Sequence, residues 1–490
     1  MAEAVEGPNQ GRERRWWVFG VLAIAQLMMM LDATIANIAL PSAQHALHFS
    51  DANRQWVVTA YALAFGSLLL LGGRIGDLFG PKRVFLAGVI GFGAASALGG
   101  AAQSFAVLVT ARGLQGVFAA LMAPAALSLV TTTFTDPRQR GTAFGIWGGI
   151  NGAAGAIGLL LGGVLTQSLS WRATLFINVA FAIPAAIGGM ALLRRDVRTS
   201  GSRIDVPGTV TATAGLFGLV YGFANAETHG WGASTTIAFL AAGIALLVVF
   251  VATQLRVANP LLPLRVVLDR NRGGSFLTLG LLGLGIFSVF LFLTYYLQQI
   301  KGYSPITTGL AYLPMPLMLI AAAGIANTRL LPRTGPRPLM AIGMALSAVS
   351  FALFAELGVH SSYVTGVLPG LLIAGVGLGL VFAPATDIAI RGVSAADAGV
   401  ASALVNATNQ IGGSLGIALL STLSATAANH YLATRQPNPN VVAHAAVHGY
   451  ATAYWWAAAI FVVGAAIAGL LLHRPSEHEV DTNLELVPAL

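Results

Sequence analysis

Long apolar stretches alternate with short charged or Gly- and Pro-containing breaks along almost the whole chain. A helix needs about 20 mostly apolar residues to cross the roughly 30 Å hydrocarbon core of a bilayer. The pattern therefore predicts an all-α polytopic membrane protein with fourteen transmembrane helices. The predicted spans are 16–40, 55–73, 84–104, 107–131, 141–166, 172–193, 206–226, 235–255, 273–298, 308–327, 338–357, 363–386, 399–426 and 452–472.

The composition argues against an ordinary soluble enzyme. Of the 490 residues, 56% are hydrophobic and only 9% are charged, whereas about 25% of the residues of a soluble domain are charged. The mean hydropathy is +0.76. The absence of cysteine excludes disulfides, thiolate metal sites and cysteine nucleophiles. The net charge of +8 is not concentrated on one surface, so no nucleic acid partner is predicted.

The basic residues indicate the topology, because cytoplasmic loops collect Lys and Arg. With the N-terminus in the cytoplasm, 21 of the 26 basic residues fall on the cytoplasmic side. Arg54, Arg172, Lys301 and Arg435 fall in outer loops, and Arg112 alone falls inside a span. We predict that both termini are cytoplasmic. The preference for Arg over Lys is typical of a GC-rich bacterial genome, which places the protein in a bacterial cytoplasmic membrane.

Three sequence features recur in the same order after about 255–260 residues. The turn that contains Arg74 is repeated around Arg329, Ala-Pro-Ala at 123–125 is repeated at 383–385, and Asn151 corresponds to Asn409. Such a repeat predicts two parallel six-helix bundles, which is a transporter architecture. The predicted divisions are 1–193 (first bundle), 194–204 (cytoplasmic linker), 205–256 (two inserted helices), 257–474 (second bundle) and 475–490 (cytoplasmic tail).

Two charged residues lie inside predicted membrane spans, where burying a charge costs free energy. Asp32 lies roughly 24 Å from the cytoplasmic edge, and Arg112 lies roughly 9 Å below the outer edge, so that their depths agree within about a turn. We predict that Asp32 carries protons, because burial favours the neutral acid, a guanidinium favours the carboxylate, and Arg cannot itself release a proton. The alternative is a permanent structural ion pair. The chain lacks a phosphate-binding loop, so the predicted energy source is a proton gradient, with no cofactor.

Polar, aromatic and Met side chains within the spans are candidates to line a cavity for small amphipathic molecules. They are Gln26, Met30, Asn37, Tyr61, Gln115, Trp147, Asn151, Tyr295, Asn406 and Gln410. His444 and His448 have the spacing of metal ligands, but they fall in an Ala-rich outer loop with no acid nearby. We therefore predict solvated histidines and no metal site.

Glycine-rich segments mark two further places. The stretch from Gly72 to Arg83 predicts a tight turn between two spans, in which Asp77 either caps a helix or pairs with a basic neighbour. From the residues alone, a functional turn and a simple membrane anchor remain equally open. The glycines of the fifth span predict close helix packing, with hinge motion as the second interpretation.

The chain resembles the major facilitator superfamily and, more narrowly, its fourteen-span drug:proton antiporters. The resemblance rests on residues 31–41 (LDATIANIALP), on 55–61 (QWVVTAY) and on Leu108, Arg112, Gln115 and Gly116. It implies that Arg112 takes part in proton transfer. It also implies a conformational latch formed by Gly73, Asp77, Gly80, Lys82 and Arg83, and an antiporter motif formed by Gly155, Gly158, Gly162 and Gly163. The chain departs from the family pattern at Leu159, where Pro is usual, and at Asn409, where Arg is frequent.

The resemblance implies proton-coupled efflux of drugs or other amphipathic toxic compounds by alternating access, without enzymatic activity. The expected partners are these small molecules, protons and the lipid bilayer, and the expected functional unit is a monomer. A lipid or glycolipid translocase of the same fold is the main alternative. Solute uptake by symport and a scaffold or sensor without transport are further alternatives, although an intact Asp32 argues against the scaffold.

Overall fold

A computed structural model describes residues 8–193, 205–257, 260–391, 393, 397–436 and 438–471 of the chain. The regular secondary structure in these ranges is helical. The predicted linker at 194–204 and the predicted tail at 475–490 lie outside the described residues.

Fourteen of the described helices are long and apolar enough to cross a membrane. In chain order they are α1 (Pro8–Leu47), α2 (Asp51–Phe79), α3 (Pro81–Gly100), α4 (Phe105–Thr133), α5 (Pro137–Ser168), α6 (Ala173–Leu192), α7 (Val206–His229), α8 (Ser234–Gln254), α9 (Arg270–Ile300), α10 (Pro305–Thr334), α11 (Pro336–Ala355), α12 (Tyr363–Ile390), α13 (Ala398–Ala433) and α14 (Pro439–Leu471). A single helical turn, Leu264–Val267, precedes α9.

The fourteen predicted spans are confirmed, and several helices continue beyond their apolar stretch. Helix hydrogen bonds are local, so a helix does not have to end where hydrophobicity ends. The structure corrects two predictions for this reason. The tight turn predicted between Gly72 and Arg83 is present but shorter than predicted, because α2 continues to Phe79 and only Gly80, at φ 93°, separates it from α3. Likewise, His444 and His448 lie in α14 and not in a loop.

Helices α1–α6 pack on one another, as do α9–α14. Phe85 and Phe92 are fully buried in the first bundle. In the second bundle the ring centroids of Phe351 and Phe461 lie 5.0 Å apart. The inserted helices form a hairpin in which α7 lies against both α2 and α13. The hydroxyl of Thr422 on α13 donates to the carbonyl oxygen of Phe223 on α7 at 2.7 Å, so the hairpin is fastened at the seam between the bundles.

Hydrogen bonds and close helix contacts join the two bundles at one end of the molecule. The carbonyl oxygen of Ile38 accepts a hydrogen bond from Gln298 at 3.0 Å, and α5 touches the start of α10 around Gly163. We call this end, which carries the C-terminus of α1, the closed end. At the opposite end the first half of α5 is largely exposed, and a Cβ atom at Gly141 or Gly145 would meet nothing within 4 Å. We call this opposite end, where α1 begins and the first half of α5 is exposed, the open end.

Gly72 allows the closest approach of α2 to α4. A Cβ atom at this position would lie 1.9 Å from the carbonyl oxygen of Ala120. We expect Gly72→Ala to lower the free energy of unfolding by about 1–3 kcal/mol, because the helices must move apart. The matched control is Gly76→Ala, one turn further along α2, where nothing lies within 4 Å. Thermal unfolding in detergent should separate the two variants, and equal stabilities would contradict this account of the packing.

Candidate proton and substrate sites

Asp32 on α1 and Arg112 on α4 form an ion pair in the interior of the first bundle. Arg112 Nη1 lies 2.6 Å from Asp32 Oδ2, and both residues are 1% exposed. The sequence placed the two residues at similar depths, and the structure brings their charged atoms into contact. Removing both charges from water is costly unless each is paired and hydrogen-bonded, so the surrounding contacts determine what the pair can do.

Two amides complete the coordination of the carboxylate. Asp32 Oδ1 accepts hydrogen bonds from Gln115 Nε2 at 3.0 Å and from Asn178 Nδ2 at 2.6 Å. Gln115 also donates to Ser96 Oγ at 2.7 Å and accepts from Arg112 Nη1 at 2.8 Å. We call Asp32, Arg112, Gln115, Asn178 and Ser96 the Asp32 cluster. It draws on α1, α3, α4 and α6, and the described contacts therefore place it wholly within one bundle.

Sequence reasoning missed Asn178 and Ser96. A signal for Asn178 was present, because it is a lone amide in the apolar sequence of α6. Ser96 carried no comparable signal, since small hydroxyl residues are common in helix interfaces.

The guanidinium of Arg112 has further partners that do not depend on Asp32. Its Nε donates to the carbonyl oxygen of Val57 at 2.9 Å, and it lies over the ring of Tyr61, 4.7 Å from the centroid. These α2 contacts hold the cation in place whether or not the carboxyl is charged. The carboxyl group of Asp32 therefore lies beside a positive charge that has hydrogen-bonding and ring contacts of its own.

A small apolar pocket lies against Arg112, between α1, α2, α4 and α6. It is lined by residues such as Leu108, Trp171 and Thr174, and its volume is about 20 Å³. Sites for drug-sized ligands typically measure about 300–1,000 Å³. The pocket is thus too small for a drug-sized ligand.

Most of the predicted cavity residues of the first bundle lie in its interior. Tyr61 and Gln115 contact Arg112, and Asn37 Nδ2 donates to the carbonyl oxygen of Ala33 in its own helix at 2.8 Å. The ring of Trp147 packs against Phe19 at 6.3 Å between centroids. Gln26 is buried, and Met30 is half-buried against the bundle core. The side chain of Asn151 lies outside the described part of the chain.

The predicted cavity residues of the second bundle occupy three different settings. Asn406 is exposed on α13. Gln410 is buried where α13 crosses α2, and its Cβ atom lies 3.2 Å from the position that a Cβ atom at Gly66 would take. Tyr295 lies at the closed end, where its hydroxyl donates to Gln44 Oε1 at 2.6 Å. Asn409 Nδ2, in place of the Arg frequent in the family pattern, donates to the carbonyl oxygen of Leu279 at 3.3 Å.

The glycines of α5 contact the helix that carries Asp32. A Cβ atom at Gly158 would lie 1.9 Å from Thr34 Oγ1, and one at Gly162 would lie 3.1 Å from Ile35 Cα. Gly163 instead faces α10, where a Cβ atom would lie 2.7 Å from the carbonyl oxygen of Pro305. Gly155 has open space around it. Helix α5 continues through Leu159 without interruption and lies between the Asp32 helix and the other bundle.

The predicted latch residues lie at the end of α2, at Gly80 and at the start of α3. Gly73 lies within α2, where a Cβ atom would lie 3.8 Å from Pro124 Cβ. Asp77 lies in the last turn of α2, not at a helix start, and is exposed. Lys82 Nζ donates to the carbonyl oxygens of Met190 at 3.0 Å and Leu193 at 2.6 Å, which ties α3 to the end of α6. Arg83 is exposed near the start of α3, after the turn at Gly80.

An arginine bridges the two bundles at the closed end. The prediction that Arg54 lies in an outer loop is wrong, because it is buried in the first turn of α2. Its guanidinium lies 4.2 Å from the ring centroid of Tyr295 on α9 and 5.7 Å from that of Tyr450 on α14. A hydropathy profile detects the charge but not the aromatic faces that stabilise it. We call Arg54, Tyr295 and Tyr450 the cation–π clasp.

Breaking the cation–π clasp should loosen the closed end. We expect Arg54→Ala to raise, several-fold, the labelling rate of a cysteine placed at buried Ala43 by a membrane-impermeant maleimide. The chain contains no cysteine that would give background labelling. The matched control is Arg435→Ala, because Arg435 lies just after the end of α13, is exposed and has its guanidinium 3.6 Å from the ring centroid of Tyr431 on that helix. Equal labelling in the two variants would show that the clasp does not hold the bundles together.

Comparison with known proteins adds independent findings. Residues 22–417 match the family model of the Major Facilitator Superfamily. The chain is 46% identical over 482 residues to the puromycin resistance protein of Streptomyces alboniger, covering 98% of this chain and 95% of that protein. It is 38% identical to the cephamycin export protein of Amycolatopsis lactamdurans, over 82% of this chain and 83% of that protein. It superposes on a crystal structure of an auto-inhibited POT family peptide transporter with a TM-score of 0.70 and 16% sequence identity. The superposition covers 95% of this chain and 98% of that transporter.

Proposed function

The chain belongs to the major facilitator superfamily, and we propose that it exports antibiotics or similar amphipathic compounds in exchange for protons. It is a multi-pass membrane transporter and not an enzyme. Its relatives from Streptomyces and Amycolatopsis are named for resistance to puromycin and for export of cephamycin. These names support drug efflux and give no support to lipid translocation.

The observation that carries the proton-coupling proposal is the buried pair of Asp32 and Arg112. An ionisable group inside a membrane span is costly and is generally kept for a pathway or a relay. A proton crossing 100 mV gains about 2.3 kcal/mol, which corresponds to a substrate concentration ratio of roughly 50. One titratable carboxyl is sufficient for such coupling.

We propose that the structural effect of protonating Asp32 is transmitted to the bundle interface by a shift of α1. Within one turn of Asp32, α1 packs against the glycines of α5 through Thr34 and Ile35. About two turns beyond Asp32, the carbonyl oxygen of Ile38 accepts the hydrogen bond from Gln298 of α9. A small shift of α1 on loss of the ion pair would therefore act directly on contacts with both α5 and the second bundle. Substrate and proton then occupy separate places and influence each other through one helix.

The orientation follows from the basic residues. If the N-terminus is cytoplasmic, the closed end faces outwards and the structure represents an inward-open state, ready to accept a substrate from the cytosol or the inner leaflet. Closure at the open end, with separation of the cation–π clasp, would then expose the substrate to the outside.

Inside-out vesicles test the proposal. With an acid lumen reported by a pH-sensitive dye, we expect added puromycin to discharge part of the pH gradient and to accumulate in the lumen. Collapse of the gradient by a protonophore should abolish the accumulation. Puromycin accumulation that survives the protonophore would refute proton coupling, and a gradient-driven exit of puromycin from the lumen would indicate symport instead. Transbilayer movement of labelled phospholipid in liposomes, without any drug exchange, would favour the lipid translocase.

A further inference from the structure

The Asp32 carboxylate is surrounded by hydrogen-bond donors. Arg112 Nη1, Gln115 Nε2 and Asn178 Nδ2 all donate to it. This arrangement suits the charged carboxylate, whose oxygens only accept hydrogen bonds. A protonated carboxyl has an O–H group that must donate, and burying it without an acceptor is unfavourable. The protonated state therefore needs an acceptor that the charged state does not use.

Two of the three neighbours cannot supply this acceptor. A guanidinium has no acceptor atom. The amide of Gln115 is fixed, because Oε1 accepts from Arg112 while Nε2 donates to Ser96 as well as to Asp32. Turning this amide over would set its N–H groups against the guanidinium. Gln115 thus remains a donor to Asp32 in both protonation states.

Asn178 differs from Gln115 in one respect. Its Nδ2 donates to Asp32 at 2.6 Å, whereas its Oδ1 is buried and has no hydrogen-bond partner among the described residues. Within the described part of the chain, the carboxylate of Asp32 is therefore the hydrogen-bond partner that orients this amide. A buried unpaired carbonyl oxygen is uncommon enough in proteins to need an explanation.

We propose that Asn178 is a positioning residue whose side-chain amide turns over when Asp32 gains a proton. This proposal rests on the proposed function of Asp32 as the proton carrier. In the charged state the Nδ2–H group donates to Asp32 Oδ1. When a proton from solvent binds the carboxylate, that hydrogen bond breaks, the amide rotates by about 180°, and the new carboxyl O–H donates to Asn178 Oδ1. Release of the proton reverses each change.

The remaining groups around Asp32 are compatible with this switch. The charged and titratable groups that face it from packed helices are the guanidinium of Arg112 on α4 and the phenol of Tyr61 on α2. Among the described residues, α3 and α6 contribute the uncharged Ser96 and Asn178 to the cluster, and α5 contributes Gly158 beside Thr34. Asn178 is thus the group that can exchange a donor for an acceptor by rotation of a single bond.

Infrared difference spectroscopy across a pH titration tests the switch in the full-length protein. With Asn labelled by ¹³C at the side-chain carbonyl, we expect a labelled carbonyl band to move to lower frequency on acidification, because an unpaired carbonyl gains a hydrogen bond. The change should titrate together with the carboxyl signal of Asp32. It should be absent from Asn178→Leu and from Asp32→Asn.

The outcomes separate this inference from the proposed function. A carboxyl signal that titrates and disappears in Asp32→Asn, without any shift of an Asn carbonyl band, would overturn the role of Asn178 and leave Asp32 as the proton carrier. Absence of the carboxyl signal itself would refute the proton-carrier assignment. The labelled wild-type protein gives a decisive result even if Asn178→Leu fails to fold.

Discussion

Asp32→Asn is expected to abolish proton-driven accumulation of substrate while leaving a folded protein. The substitution keeps the size of the side chain and its position among Arg112, Gln115 and Asn178, but it removes the only carboxyl group of the Asp32 cluster, which is the proposed proton carrier. The expected accumulation ratio in inside-out vesicles falls from roughly 50 per 100 mV to 1.

The control for this variant is Asp387→Asn, which makes the same carboxyl-to-amide change at the end of α12. Asp387 pairs with Arg391 of the same helical turn at 2.6 Å, and 35% of its side chain is exposed. Accumulation should therefore remain near the wild-type value. Full transport by Asp32→Asn would refute the assignment of the proton to this residue. Loss of transport in both variants would point to a general effect on stability.

Arg112→Met is expected to cause the largest loss of stability among the variants considered. It removes the charge that balances Asp32 and leaves a carboxylate in a site that is 1% exposed. Breaking a buried ion pair by removing one partner costs about 3–5 kcal/mol in the free energy of unfolding. Met fills a similar volume, so the loss reports the charge rather than a cavity. Unfolding in detergent, followed by fluorescence or calorimetry, measures it.

A double variant makes this result specific. If the unpaired carboxylate causes the loss, Asp32→Asn combined with Arg112→Met should recover most of the stability of the wild-type protein, and the coupling energy between the two positions should be several kcal/mol. Arg112→Lys keeps a charge but cannot contact Val57, Gln115 and Asp32 together as the planar guanidinium does. The free energy of unfolding of Arg112→Lys should lie between that of the wild-type protein and that of Arg112→Met. A double variant as unstable as Arg112→Met would show that Arg112 acts through its own contacts instead.

The sequence was sufficient to predict the fourteen helices, because apolar length and flanking charge are local properties of the chain. It also indicated Asp32 and Arg112, since helical rise converts residue number into depth. Depth does not specify the rotation of a helix about its axis. This is why Trp147 and Tyr295 were predicted to line a cavity, whereas the structure places them in a bundle core and at the closed end.

Contacts between distant segments could not be predicted in the same way. Hydropathy predicts a loop position for Arg54, which directly precedes an apolar stretch, and its aromatic partners follow it by more than 200 positions in the chain. Asn178 lies 146 positions from Asp32. The stretch from Gly73 to Phe79 was read as a turn because glycines and charges interrupt its hydrophobicity, yet the backbone hydrogen bonds of α2 continue through it. Tertiary packing determines both the long-range partners of these residues and the end of α2, and a hydropathy profile contains no information about packing.

The location of the Asp32 cluster has an electrical consequence. With a carboxylate, the pair of Asp32 and Arg112 is neutral; with a proton bound, it carries one positive charge. Asp32 and Arg112 belong to the same bundle, so this positive charge moves with that bundle during the conformational change. The described contacts of the pair do not include a counter-charge from the second bundle. The conformational change of the protonated molecule should therefore be electrogenic, driven by up to about 2.3 kcal/mol per 100 mV for a full crossing. A voltage applied without a pH difference should then be enough to speed the cycle.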